Sequence, residues 1–169
     1  SLFEFLVERA YLTGLPIDRM GGSAAAFNNL YLPRLHRSGF VAPSVGSQTL
    51  TFSSPGGYVF DSIPGIYRQI LVLDFKSLYP SIIRTFHVDP LAMIVASEES
   101  DPIPGFKESQ FSRDNYILPE IIENLWDARD QAKKLKKTAM SQAIKIIMNS
   151  FYGVMGTTGC RFFDPKLAS

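Results

Sequence analysis

The sequence predicts an α+β fold in which antiparallel strands with helices form one part and an antiparallel helical hairpin forms another. Three patterns carry this expectation. Residues 70–75 form an apolar run broken only by Asp74, and 58–61 form a second short strand-like run, the two separated by Pro64-Gly65. From Leu118 onward the apolar residues Ile121, Leu125, Ala128, Ala132 and Leu135 step by four and three along one helical face. A further helical run from about Met140 to Gly153 follows after the short polar link around Lys136 to Ala139, so the two helices are expected to fold back on each other.

In chain order, Ser1 is placed to cap a short helix from Leu2 to about Tyr11, ended by Gly14-Leu-Pro16. Asp18 is the expected cap of a second helical stretch containing Ala24, Phe27, Leu30 and Tyr31, with Gly39 as its terminator. Residues 1–45 thus form a helical region. Residues 42–57 are rich in Pro, Gly and Ser and mark a loop between compact pieces.

The stretch from Leu71 to Arg84 reads as a strand that delivers one carboxylate to a turn and then opens a helix. By the two-residue alternation, Ile70, Val72 and Asp74 share one face and Leu71, Leu73 and Phe75 the other, placing Asp74 at the strand's end beside buried neighbours. Ser77 is expected to cap a helix to about Phe86, with Pro80 in its first turn, where a missing N–H costs little. The unpaired amides near Ser77, Leu78 and Tyr79 would then form an anion site. A carboxylate suited to a hard cation, followed by backbone donors suited to phosphate, points to a nucleotide–metal site. On residue types alone, an ordinary strand–helix corner is the plainer reading. Leu91 to Ala96 is expected to be another strand, and the polar 97–115 a long, weakly ordered loop.

Charge is unevenly distributed along a chain of 169 residues with a formal net charge of +1. Between Glu98 and Asp127 acids dominate, whereas from Arg129 to Lys145 six cations face Asp130 alone. Glu120 and Glu123 favour the start of the first hairpin helix and the lysines its end. Arg129 and Lys133 are one turn apart, as are Lys145, Asn149 and Tyr152 on the second helix, and the two faces are able to converge on one polyanion. Lys134, Lys136 and Lys137 are read as solvated. A basic helix face alone is most simply a solvated surface. A hydrophobic content of 46% excludes a disordered chain, and the single cysteine, Cys160, excludes an intrachain disulfide and a thiolate-rich metal site. No apolar run reaches membrane-spanning length and no cleavable leader is apparent, so no membrane partner is expected and the location is read as cytoplasmic.

Residues 74–83, Asp-Phe-Lys-Ser-Leu-Tyr-Pro-Ser-Ile-Ile, resemble the first polymerase motif of family B DNA polymerases, D-x-x-S-L-Y-P-S-I-I, at every fixed position. Residues 145–153, Lys-Ile-Ile-Met-Asn-Ser-Phe-Tyr-Gly, resemble the fingers motif of the same family, K-x-x-x-N-S-x-Y-G, in the expected order. Residues 54–58 and 84–90 are most similar to a bacterial branch of that family.

The resemblance implies a partial polymerase palm joined to a fingers hairpin. Residues 1–45 would precede the palm, 46–113 form its N-terminal part, 114–156 form the fingers and 157–169 return towards the palm. Asp74 would ligate both catalytic metals, with the Phe75 carbonyl joining the nucleotide-bound one. Mg²⁺ is the implied ion, with Mn²⁺ able to substitute. Ser77, Leu78 and Tyr79 would bind nucleotide, Tyr79 lying under the sugar and blocking a ribose 2′-OH. Arg129, Lys133 and Lys145 would bind triphosphate oxygens, Lys145 counting with Asp74 as catalytic. Asn149 and Tyr152 would line the nascent base pair. Gly56 and Gly57, in an element whose usual tyrosine is Ser54 here, would meet DNA together with Tyr152 and Gly153.

Primer-template DNA and deoxynucleoside triphosphates are the implied partners, with the exonuclease, the rest of the palm and the thumb as accompanying domains and a sliding clamp as a candidate. The implied activity is templated addition of deoxynucleotides to a primer 3′-OH. The chain contains no D-x-D and no D-x-E, so the sequence is read as a fragment, inactive by itself. Two readings compete with this one. One is a nucleic-acid-binding module from a polymerase that has lost catalysis, and the other a helical-hairpin interaction domain whose basic face meets an acidic protein.

Overall fold

Six α-helices and one two-stranded sheet make up the regular structure of the computed structural model, which describes residues 1–19, 22–46 and 59–168. The helices are α1 (Leu2–Thr13), α2 (Ser23–Arg37), α3 (Leu78–Phe86), α4 (Pro90–Val95), α5 (Leu118–Lys134) and α6 (Thr138–Met155). Strands β1 (Ile103–Pro104) and β2 (Gln110–Phe111) pair antiparallel, Ile103 opposite Phe111 and Pro104 opposite Gln110. The α+β expectation holds in this reduced form.

Local chemistry sets both ends of α1. Ser1 Oγ accepts the Glu4 amide and starts α1 as expected. Gly14 ends it with φ 70, and a Cβ built there would lie 2.9 Å from Asn29 Nδ2, the group that donates to the Thr13 carbonyl. Helix α2 starts after Gly22 rather than at Asp18, which lies in a separate exposed turn. Glycine disfavours a helix interior, so the start moves past it. Pro33 stays within α2, and Gly39, with φ 86, follows the C-cap Ser38.

The core is built on α6. Its residues Ile144, Ile147, Met148, Phe151, Val154 and Met155 are buried, and the helix packs against α5, α1 and α2. Phe27 stacks on Tyr31 with ring centroids 5.1 Å apart, and Phe151 and Phe162 meet Phe27 edge-on at 5.4 and 5.9 Å. Cys160 is buried among these residues, as expected of a small apolar side chain, and burial pushes its thiol pKa up. A three-residue turn, 135–137, joins α5 to α6, as the expected hairpin requires. Leu135 lies in that turn and is exposed, because the helical stripe assigned to it stops at Lys134.

One buried carboxylate fastens several elements. Asp89 caps α4 by accepting the Ala92 amide at 2.8 Å, and it accepts the amides of Leu118 and Ile117, at the start of α5, at 2.7 and 3.2 Å. The Tyr31 hydroxyl of α2 donates to the same carboxylate at 3.0 Å and accepts the Leu91 amide at 3.0 Å. Burial pushes the Asp89 pKa up, against the four donors that favour the ionised form. Tyr31 is driven far upward by burial and then by the charge of Asp89.

Four expectations are corrected. Residues 70–75 form no strand, nor do 59–61; Tyr58 lies outside the described residues. A strand exists only through pairing, and the sheet among the described residues holds β1 and β2 alone. Leu71 to Leu73 and Phe75 are therefore exposed, Val72 at 84%, and Asp74 has no buried neighbours beside it in the sequence. Leu91 to Ala96 is helical up to Val95, because Asp89 caps it and Pro90 occupies its first turn. The 97–115 segment is ordered by β1 and β2 and by Ser112, whose hydroxyl donates to Glu99 while accepting the Asn115 amide at 2.8 Å. These contacts, the Ser112 hydroxyl first and the Arg113 amide next, hold the Glu99 carboxyl below the usual range. Ser77 is the fourth correction; its backbone belongs to the site described below.

Asp89→Ala strands at least three buried amides and is expected to lower unfolding stability by about 3 kcal/mol or more. Tyr31→Phe is expected to cost about 1–2 kcal/mol by leaving the Leu91 amide unpaired. Denaturant unfolding curves of both variants check the order of the two effects.

Candidate functional site

The site is assembled where the start of α3 meets α5 and α6. Ser77 occupies the N-cap position of α3, but with φ 55 and ψ 62 it is left-handed and its side chain makes no capping bond. A capping hydroxyl needs an extended backbone to reach the N2 or N3 amide. Instead, Ser77 Oγ accepts from Arg129 Nη1 of α5 at 3.4 Å, while the Ser77 carbonyl accepts the Ser81 amide. Ser81 Oγ donates to the Lys76 carbonyl at 3.1 Å and helps close this turn. Pro80 is buried in the first turn, as the sequence implies. Leu78 is exposed.

Arg129 is half-buried, and its Nε has no hydrogen-bond partner among the described residues. A guanidinium carries a planar fork of donors, and here Nη1 meets the turn while Nε is left over. Tyr79, in the first turn of α3, stacks on Tyr152 of α6 with centroids 4.4 Å apart and planes inclined by 13°. Burial, and then the neighbouring Tyr79, push the Tyr152 phenol pKa up.

The α6 residues divide by face. Ile144, Ile147, Met148 and Phe151 turn into the core, whereas Lys145 and Asn149 are exposed and Tyr152 half-buried. Gly153 follows Tyr152 on this helix, with nothing within 4 Å of a Cβ built there. Lys133 pairs with Asp130 at 3.3 Å on the exposed side of α5. Asp74 is exposed three residues before Ser77, with Phe75 also exposed. Among the described residues no three His, Cys, Asp or Glu side chains group as metal ligands. Gly56 and Gly57, with Ser54, lie outside the described residues.

The structure thus brings Ser77 to Arg129 and Tyr79 to Tyr152, across segments distant in sequence. Sequence reasoning missed Trp126. Its ring lies 5.6 Å from Lys76 Nζ and 5.2 Å from the Arg84 guanidinium, and Arg84 also pairs with Glu123 at 2.9 Å. The available signal was its position three residues before Arg129 on the same helix.

A sequence profile for DNA polymerase family B matches residues 20–169, most of the chain. The chain therefore belongs to the family B DNA polymerases. It is 56% identical over its whole length to DNA polymerase II of Escherichia coli (strain K12), of which it covers 22%. A DNA polymerase of Thermococcus gorgonarius is 35% identical over 69% of the chain, which covers 17% of that protein. The family B DNA polymerase of the hyperthermophilic archaeon Pyrobaculum calidifontis has a similar fold, with a TM-score of 0.71 over 99% of this chain and 24% of that one, at 24% identity. The chain spans about a fifth of the length of these relatives.

The Tyr79–Tyr152 stack is expected to contribute about 0.5–1.5 kcal/mol of coupling. A double-mutant cycle with Tyr79→Ala and Tyr152→Ala on unfolding stability measures it, and phenylalanine at either position should preserve it.

Proposed function

We propose that this chain is part of the palm together with the fingers of a longer DNA-directed DNA polymerase. That enzyme adds deoxynucleotides to a primer 3′-OH under template direction. The observation that carries the reading is the meeting of the two motif segments, Tyr79 of one stacked on Tyr152 of the other, with Arg129 of α5 reaching Ser77 beside them. Residues 1–45 precede the palm, 46–113 belong to it, 114–156 are the fingers and 157–169 return towards it. The protein is cytoplasmic in this reading; no helix among the described residues is long and apolar enough to cross a membrane.

In this reading the residues divide the work by chemistry. Arg129, Lys133 and Lys145 hold the triphosphate, the arginine by its planar fork and the lysines as movable point charges. Lys145 keeps its cation beside the leaving pyrophosphate. The amides at Ser77, Leu78 and Tyr79 add donors at the start of a nine-residue helix. Lys133 exchanges its exposed Asp130 partner for phosphate at little cost, since such surface pairs are weak. Tyr79 fills the space a ribose 2′-OH would need, and Asn149 and Tyr152 line the nascent base pair. Gly153 leaves the α6 surface bare beside Tyr152, and DNA binding is assigned to Gly56, Gly57, Tyr152 and Gly153.

Asp74 and the Phe75 carbonyl offer oxygen ligands of the kind Mg²⁺ or Mn²⁺ prefers. They fit one share of a two-cation site; further carboxylates must come from elsewhere in the polymerase. When bound, such cations neutralise charge on the transferring phosphoryl group. The exonuclease, the remaining palm and the thumb complete the enzyme, with a sliding clamp as a candidate partner.

Primer extension by the full-length polymerase is expected in Mg²⁺ and Mn²⁺, with extension lost in Asp74→Ala while folding and DNA binding persist. The 169-residue chain alone should extend nothing. Undiminished extension by Asp74→Ala would remove the site assignment, and an inactive wild type would favour a nucleic-acid-binding module. Tyr79→Ala should raise incorporation of ribonucleotides relative to deoxynucleotides. An unchanged ratio would refute the role given to Tyr79.

A further inference from the structure

Helix α5 meets the 76–84 segment through three side chains spaced by three: Glu123, Trp126 and Arg129. Residues three apart share a helix face, so these contacts together fix one rotation of α5 about its axis. Turning α5 by a single residue, about 100°, would carry Arg129 away from Ser77. Trp126 is the centre of the set. Lys76 Nζ and the Arg84 guanidinium lie 5.6 and 5.2 Å from its ring, within the roughly 6 Å reach of cation–π attraction. Arg84 is itself held by Glu123 at 2.9 Å.

We infer that Trp126 is a positioning residue for nucleotide binding: it locks the rotation of α5 on the 76–84 segment and so aims Arg129 at the start of α3. This rests on the reading of Arg129 as a triphosphate ligand. Trp126 acts through Arg129, and its loss lets α5 sample rotations in which the guanidinium points elsewhere. The apparent affinity for nucleotide then falls with the fraction of correctly rotated protein, while turnover of the bound complex is largely kept.

The test is steady-state single-nucleotide extension by the full-length polymerase, comparing wild type, Trp126→Leu and Trp126→Phe. Trp126→Leu is expected to raise the nucleotide KM about three- to tenfold with kcat changed less than about twofold. Trp126→Phe keeps a ring face for the cations and is expected to restore most of the KM. An unchanged KM in Trp126→Leu, equal losses in both variants, or a loss confined to kcat would each overturn the inference. A wild type that extends no primer would sink the functional reading instead. The contact of Trp126 with Arg84 is then judged from the melting temperatures of Trp126→Leu, Arg84→Met and the double variant: additive shifts overturn the inference, and non-additive shifts support it.

Discussion

The Asp89 carboxylate is the constraint on which the rest of the arrangement depends. It is wholly buried, and every neighbouring group that reaches it is a donor: the Ala92, Ile117 and Leu118 amides and the Tyr31 hydroxyl. A buried carboxylate is costly unless its lone pairs are filled, and buried amides are costly unless accepted. Each side here reduces the penalty of the other, although burial still outweighs the donors at Asp89. Because the donors come from α2, α4 and the start of α5, the solution is geometric as well as energetic. Those three elements can satisfy one side chain only in one mutual placement.

That placement reaches the site directly. Asp89 follows α3 by three residues and at the same time holds the amides from which α5 departs. The angle between α3 and α5 is thus set at this junction, and contacts farther along α5 refine it: Glu123 on Arg84, Trp126 between Arg84 and Lys76, and Arg129 on Ser77. The return through the 135–137 turn then lays α6 against α5, and Tyr152 arrives on Tyr79. The two motif segments meet through a buried polar anchor, a short turn and one helix face.

The extended 59–75 stretch has a different character. Its apolar side chains are exposed, Ile66 at 101%. Burying such side chains is worth about 25 cal/mol per Å² of apolar surface, and among the described residues the stretch belongs to no sheet.

The sequence by itself determined the elements whose signals are local. Ser1 and Gly14 bound α1, Pro80 sits in the first turn of α3, and the stepping apolar residues define α5. The two motifs named the family because their fixed residues are contiguous in the chain. What depends on partners distant in sequence was not legible. Leu91 to Ala96 passed for a strand although Asp89 and Pro90 are a local helix start, and the further partners of Asp89, Tyr31, Ile117 and Leu118, lie far from it in sequence. Ser77 was expected to cap α3, whereas the left-handed backbone that turns its hydroxyl towards Arg129 is a property of the packed turn. Tertiary structure alone decided that Trp126 collects two cations and that Tyr79 stacks on Tyr152, since neither contact lies within reach of local periodicity. It also decided that residues 70–75 remain unpaired among the described residues: alternation predicts a strand's faces, but only a neighbouring strand makes it one.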